Sequence, residues 1–169
     1  MRKKSGIHLG RKLPTLVAAF SLAACAAAQN HPAFKDYAVS VSSQSLEQVR
    51  LETHPDARMF STRLNHLVGK RANFAGDSLI AYWGCGTACQ MMAVVNVLTG
   101  EVQIPEDVVG TNGFCFHPDS RLLVVNPLGK WQDANDHYRF QTVFYVWDGQ
   151  MFQRIVETAP TKVSPDCEP

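Results

Sequence analysis

The residues of this sequence that are best suited to form covalent bonds or to bind metal ions are four cysteines and one histidine. They are Cys85, Cys89, Cys115, Cys167 and His117. Cysteine pairs form disulfides, whereas thiolates and imidazole nitrogens bind soft metal ions. The same residue set is therefore compatible with a covalent brace, a metal site or a redox centre.

Disulfides are the interpretation we favour. Glycines on both sides of Cys85 allow the backbone to reverse tightly, so the sulfurs of Cys85 and Cys89 can approach each other. The sequence has five cysteines, and four remain if Cys25 is lipidated as the N-terminal signal discussed below implies; an even number in an exported chain also favours disulfides. Four cysteines allow three pairings. We expect Cys85 and Cys89 to bond to each other or to Cys115, and Cys167 to pin the C-terminal tail.

A metal site is the alternative. Its ligands would be Cys85, Cys89, Cys115 and His117, and its ion copper or zinc. The C-x3-C…C-x-H spacing is looser than that of known zinc motifs, so under the favoured interpretation we expect no cofactor. A thiol-redox role is weakened by the departure of C-x3-C from C-x-x-C. No hydrolase, zinc-protease, P-loop or dinucleotide motif is present, and we expect the protein not to be an enzyme.

The N-terminus has the three parts of an export signal. Five basic residues precede the apolar stretch Leu13–Ala24, whose 12 residues are fewer than the roughly 20 that span a bilayer. The phrase Leu22–Cys25 resembles a bacterial lipobox, which implies lipidation of Cys25. Ala26 in place of aspartate implies an outer-membrane anchor facing the periplasm. The alternative is cleavage after Ala28, which would give a soluble periplasmic protein.

Removal of the signal changes the charge balance. The whole chain has 16 basic and 15 acidic residues, but the five basic residues of the signal leave 11 basic against 15 acidic, a net charge of −4. Nucleic-acid binding needs a basic patch. We therefore expect no nucleic-acid partner, and expect a membrane contact through the lipid.

The mature chain is long enough for one domain with its own core. We assign residues 1–24 to the signal peptide, 25–36 to a tether, 37–157 to a mainly β domain and 158–169 to an irregular tail. Apolar runs separated by glycine turns, in Asn73–Glu106 and again up to Val156, predict either a single antiparallel meander or two blade-like sheets. Asp148-Gly149 predicts a hairpin.

Two shorter segments also give predictions. The apolar spacing in Arg58–Val68 predicts one short helix packed on the sheet, with Met59, Leu64, Leu67 and Val68 on its inner side. The alternation in Val49–Thr53 predicts a strand.

Several phrases of the chain look like those of one family. Asn73–Gly76 (NFAG), Trp83–Cys89 (WGCGTAC), Thr99-Gly100 and Asp119–Leu123 (DSRLL) resemble a family of small exported bacterial proteins to which no activity is assigned. The resemblance covers residues 58–156, and WGCGT-x-C is its most specific part. The family usually carries tyrosine soon after NFAG, where this chain has Asp77-Ser78.

Aromatic residues offer a second kind of candidate site. Trp83 and Trp147 fall at strand ends, where tryptophan commonly seals a core. Trp131 lies in the long polar stretch Pro127–Tyr138, and an exposed tryptophan there would anchor a partner. We therefore expect a non-enzymatic envelope binding module, for instance an inhibitor or immunity-type partner of a wall-degrading enzyme. A metal-handling or thiol-redox protein is the alternative.

Overall fold

The structure is a computed structural model that describes residues 31–128, 140–163 and Cys167. The predicted signal peptide, the predicted lipidation site Cys25 and the predicted anchor Trp131 lie outside the described residues.

Two antiparallel sheets form the domain, which confirms the prediction of a mainly β fold with two sheets and one short helix. The first sheet contains β1 (Ser78–Gly86), β2 (Cys89–Asn96) and β3 (Val102–Gln103), in that order. The second contains β4 (Phe114–Phe116), β5 (Leu122–Val125), β6 (Thr142–Trp147) and β7 (Phe152–Thr158), also in chain order. Because consecutive strands pair with each other, each sheet is a meander.

The two sheets share a core. One face of the first sheet presents Ile80, Met92 and Val94 to Leu123 and Val125 of the second sheet, and all five side chains are buried. Phe74, fully buried, stands among Phe116, Trp147 and Phe152 in the same cluster. Both faces of β2 are covered, as its continuous apolar sequence indicates.

The outer face of the first sheet packs on a helical segment. α1 (Ser61–Asn65) follows a 3-10 turn at Ala57–Phe60, and Leu64 and Leu67 are buried against Val95. The predicted helix over residues 58–68 is therefore shorter than expected. The prediction that Met59 and Val68 lie on the inner side of this helix is wrong, because Met59 is 76% exposed and Val68 is 45% exposed.

The predicted strand at Val49–Thr53 is also wrong. Leu51–Thr53 forms a 3-10 turn, and only Arg50 pairs with the first sheet, through one bridge to Glu101. The Thr53 hydroxyl oxygen accepts the N–H of Val102 at 2.9 Å. A side chain thus satisfies a β3 donor that a neighbouring strand would otherwise bind.

Two turn glycines, Gly76 and Gly100, lie against the backbone of the segment that precedes the first sheet. Gly76 and Gly100 both have positive φ (84° and 74°), which only glycine adopts without strain. A Cβ at Gly100 would lie 2.2 Å from the carbonyl oxygen of Gln48, and one at Gly76 would lie 2.4 Å from that of Ser40. Both glycines therefore allow a close backbone approach as well as a turn.

The asparagine that opens the NFAG phrase protects the outer edge of β1. The Asn73 side chain donates to the carbonyl of Ile80 at 3.0 Å and accepts the N–H of Ile80 at 2.8 Å. One amide thereby satisfies both edge groups of that residue, much as a strand would.

The last six residues of the segment assigned to the tether, residues 31–36, pack on the domain. His31 stacks on Phe144 with ring centroids 5.8 Å apart, and Phe34 joins the cluster on the outer face of the second sheet. The Ser120 hydroxyl donates to the carbonyl of Phe34 at 2.8 Å. Residues 31–36 are thus part of the domain, because an aromatic pair and a buried hydroxyl hold them there.

Candidate functional site

The first candidate site is the end of the β1–β2 hairpin. Cys85 and Cys89 are joined by a disulfide with their Cα atoms 5.1 Å apart, in a region where β1 is irregular between Gly84 and Gly86. Residues 84–88 are all exposed. We call residues 84–89 the stapled tip. The turn residue Ala88 has φ of 53°, an unusual value for a side chain other than glycine or asparagine.

A neighbouring loop supports the stapled tip. Gln90 and Gly110 exchange two backbone hydrogen bonds of 2.7 and 2.9 Å, and the Thr111 hydroxyl donates to the carbonyl of Ala88 at 2.9 Å. The Asn126 side-chain oxygen in turn accepts the N–H of Thr111 at 2.6 Å. The tip is therefore held by a disulfide within and by hydrogen bonds from outside.

The hairpin that carries the stapled tip is uncharged and partly apolar. Residues 78–100 contain no charged side chain. Tyr82 is 47% exposed and rests edge-on against Phe114, with ring centroids 5.6 Å apart. Val109, in the supporting loop, is also 47% exposed. An exposed tyrosine whose ring is already positioned is the kind of group that dominates protein interfaces.

The second candidate site surrounds the other disulfide. Cys115 on β4 is bonded to Cys167 in the C-terminal tail, and both are buried. His117 lies two residues after Cys115, and a ligand nitrogen of its ring and the two sulfurs lie within 4.8 Å of one another. The ring stacks on Phe34 with centroids 4.0 Å apart and planes inclined by 7°.

A cavity of about 360 Å³ opens beside His117. Its lining combines apolar and charged side chains: Ala33, Phe34, Lys35, Ala38, His117, Asp119 and Val163. The second site thus places an imidazole between a buried sulfur pair and a cavity that solvent can enter.

The two disulfides decide among the predictions made for the cysteines. All four are paired, which confirms the prediction of disulfides, and Cys167 does pin the tail. The alternative bond from Cys85 or Cys89 to Cys115 does not form. The predicted metal set of Cys85, Cys89, Cys115 and His117 is not brought together, because its first two members bond to each other on the other sheet.

The sequence prediction missed the third member of the sulfur–imidazole cluster. Cys115 and His117 are two residues apart at the end of β4, and this proximity is visible in the C-x-H spacing. Nothing local points to Cys167, which is 52 residues away along the chain.

Among the aromatic candidates, the two tryptophans at strand ends are core residues, as predicted. Trp83 is 6% exposed and Trp147 is 4% exposed. Trp83 packs on Phe60, and the guanidinium of Arg63 lies 5.7 Å from its ring centroid.

The β6–β7 hairpin carries a carboxylate with a perturbed pKa. The Asp148 side chain accepts the backbone N–H groups of Met151 and Gln150, each at 2.8 Å. These hydrogen bonds favour the ionised form and lower the pKa of Asp148 from its usual 3.8. The group stabilises the predicted Asp-Gly turn, far from either candidate site in sequence.

No family model matches this chain, and no curated protein or solved structure matches it either. Within the described ranges, none of the helices has the length and apolar character needed to cross a membrane. The fold and the sites define a small antiparallel β domain with one disulfide at an exposed hairpin end and another that fastens its tail.

Proposed function

We propose that the protein is an exported, lipid-anchored envelope protein that binds a protein partner without catalysing a reaction. The observation that carries this proposal is the stapled tip, which is exposed, uncharged and braced by a disulfide and by hydrogen bonds from a neighbouring loop. A wall-degrading enzyme, which the protein would inhibit or neutralise, is one concrete class of partner.

The stapled tip has the physical properties of a preorganised binding loop. Binding costs free energy when loops and side chains become ordered, so a loop that is already fixed binds more tightly for the same contacts. Here the disulfide Cys85–Cys89 fixes the turn, while Thr111 and Gly110 fix it from the side. Such a short covalent loop stabilises the whole fold only modestly. Its position at an exposed end therefore favours a role in recognition.

Tyr82 and Val109 supply the apolar contact area next to the stapled tip. Each is 47% exposed. Tyr82 lies on β1 of the hairpin and Val109 lies in the supporting loop, and the backbone hydrogen bonds between Gln90 and Gly110 join the hairpin to that loop. Trp131 remains a predicted additional anchor. Because the mature chain is predicted to carry a net charge of −4, a neutral or basic partner surface fits it better than a nucleic acid.

Export is supported by two independent features. The N-terminal sequence has the order of a signal peptide ending in a lipobox-like phrase, and both disulfides require a compartment in which thiols stay oxidised. A diacylated Cys25 would hold the domain at a membrane, and we propose the periplasmic side of the outer membrane. Residues between Cys25 and His31 would then connect the lipid to the domain.

The interaction is tested with tagged wild-type protein and variants in envelope extract, followed by high-salt washing and quantitative mass spectrometry. We expect a stoichiometric partner that wild type retains and Tyr82→Ala loses. The matched control is Met151→Ala, which removes another large exposed side chain, 60% exposed, from the β6–β7 hairpin of the other sheet. Equal retention by both variants would refute the tip as the binding surface.

The anchor is tested by labelling cells with a palmitate analogue. We expect label in wild type, none in Cys25→Ser, and release of that variant from the membrane fraction. An unlabelled wild type whose mature N-terminus follows Ala28 would instead establish the soluble periplasmic form.

A further inference from the structure

The cluster around His117 has the ligands of a metal site, although its two sulfurs are bonded to each other. We propose that reduction of the disulfide Cys115–Cys167 converts these two residues and His117 into a binding site for Zn²⁺. This inference goes beyond the binding role proposed above and does not depend on it.

The ligand set suits zinc. Two thiolates and one imidazole are typical zinc ligands, with Zn–S of about 2.3 Å and Zn–N of about 2.0 Å, so the ligand atoms of a tetrahedral site lie roughly 3.5–3.8 Å apart. The imidazole nitrogen and the sulfurs already lie within 4.8 Å of each other. After the S–S bond breaks, the two sulfurs are free to separate to this spacing.

The fold positions the ligands before any metal arrives. Cys115 lies on β4, where it pairs with Val124 of β5, and His117 follows directly after the last residue of that strand. Stacking on Phe34 restricts the plane of the imidazole ring. His117 also lines a cavity of about 360 Å³, and a zinc site with three protein ligands takes a water molecule as its fourth.

The chemistry balances with a dithiol reductant. The dithiol supplies two electrons and two protons, the Sγ–Sγ bond breaks, both cysteines become thiols and the dithiol becomes a disulfide. Zinc binding then releases the two thiol protons, because the ligands are thiolates. In either state the tail is tied to β4, first by a covalent bond and then by the metal.

The test uses the exported chain with Cys25→Ser and Cys85→Ala/Cys89→Ala, so that Cys115 and Cys167 are the only cysteines. The protein is reduced with a phosphine and titrated with Co²⁺, a spectroscopic substitute for Zn²⁺. We expect one Co²⁺ per chain, absorption bands of thiolate ligation, and displacement by Zn²⁺. We also expect the melting temperature of the reduced protein to rise with added Zn²⁺, since a ligand that binds the folded state stabilises it.

Two further variants decide whether the folded site is responsible. His117→Gln should bind Co²⁺ at least about 10-fold more weakly, since loss of an outer-shell partner alone already costs 10–100-fold. His66→Gln, a histidine outside the cluster, should bind like its parent. The oxidised parent should bind none.

Three results would overturn the proposal. The first is no metal bound by the reduced protein, and the second is equal affinity in His117→Gln. The third is a reduced protein that stays unfolded by circular dichroism when saturated with metal, because two cysteines of an unfolded chain would then explain the binding.

Discussion

The two disulfides should differ strongly in what they contribute to stability. The bond between Cys85 and Cys89 closes a loop with a sequence separation of 4, whereas the bond between Cys115 and Cys167 closes one of 52. In the chain-entropy model, a cross-link removes conformational freedom from the unfolded chain in proportion to the logarithm of loop length. That model gives about 1.9 kcal/mol for the short loop and about 4.1 kcal/mol for the long loop at 25 °C.

Burial widens the difference. Cys115 and Cys167 are 5% and 8% exposed, so removing their sulfurs also leaves unfilled space in the core, whereas Cys85 lies in the exposed tip. We therefore expect Cys115→Ala/Cys167→Ala to lose at least about 2 kcal/mol more than Cys85→Ala/Cys89→Ala. A domain of this size has roughly 5–15 kcal/mol of stability, so the first variant should be close to the limit of folding.

The measurement is equilibrium unfolding in urea, under non-reducing conditions and with Cys25→Ser in every protein. Loss of the long-loop bond should also raise the dependence of the unfolding free energy on urea, because the unlinked chain exposes more surface when it unfolds. An equal or larger loss of stability in the variant without the tip disulfide would refute the reasoning. It would mean that the stapled tip holds tertiary structure together and is not chiefly a local device.

Three further predictions concern single residues, each measured by urea unfolding. Phe74→Ala should cost about 3–5 kcal/mol, because a fully buried ring at the centre of an aromatic cluster leaves a cavity. Gly100→Ala should be clearly destabilising, because its φ is positive and the new Cβ would meet the Gln48 carbonyl oxygen. Asp148→Asn should be less stable than wild type at pH 7, and the difference should shrink below about pH 4.

The sign of the pH effect follows from the depressed pKa. The folded protein holds the Asp148 carboxylate in its charged form more strongly than the unfolded chain does, so the contribution is present above the unfolded pKa and is lost as the pH falls through the folded one. A difference that is constant down to pH 3 would contradict this account. The prediction for Phe74 would be contradicted if the unfolding free energy of Phe74→Ala lay within about 1 kcal/mol of the wild-type value. The prediction for Gly100 would be contradicted if Gly100→Ala were as stable as wild type.

The sequence by itself determined the strands and turns that depend on local signals. Apolar runs bounded by glycine turns, together with the Asp148-Gly149 hairpin signal, placed β1, β2, β6 and β7 close to where they lie, because hairpin pairing joins neighbours in the chain. Burial of Trp83 and Trp147 was predictable because each falls at a strand end, Trp83 before Gly84 and Trp147 before Asp148-Gly149.

Only the tertiary structure decided contacts between distant segments. The alternation at Val49–Thr53 predicted a strand, but packing against the first sheet left room for a single bridge, and Thr53 satisfied the β3 donor with its hydroxyl. The partner of Cys115 and the stacking of His117 on Phe34 likewise depend on how the tail and the N-terminal segment cross the second sheet. Local sequence cannot encode these contacts, because each is set by the packing of residues that lie dozens of positions apart.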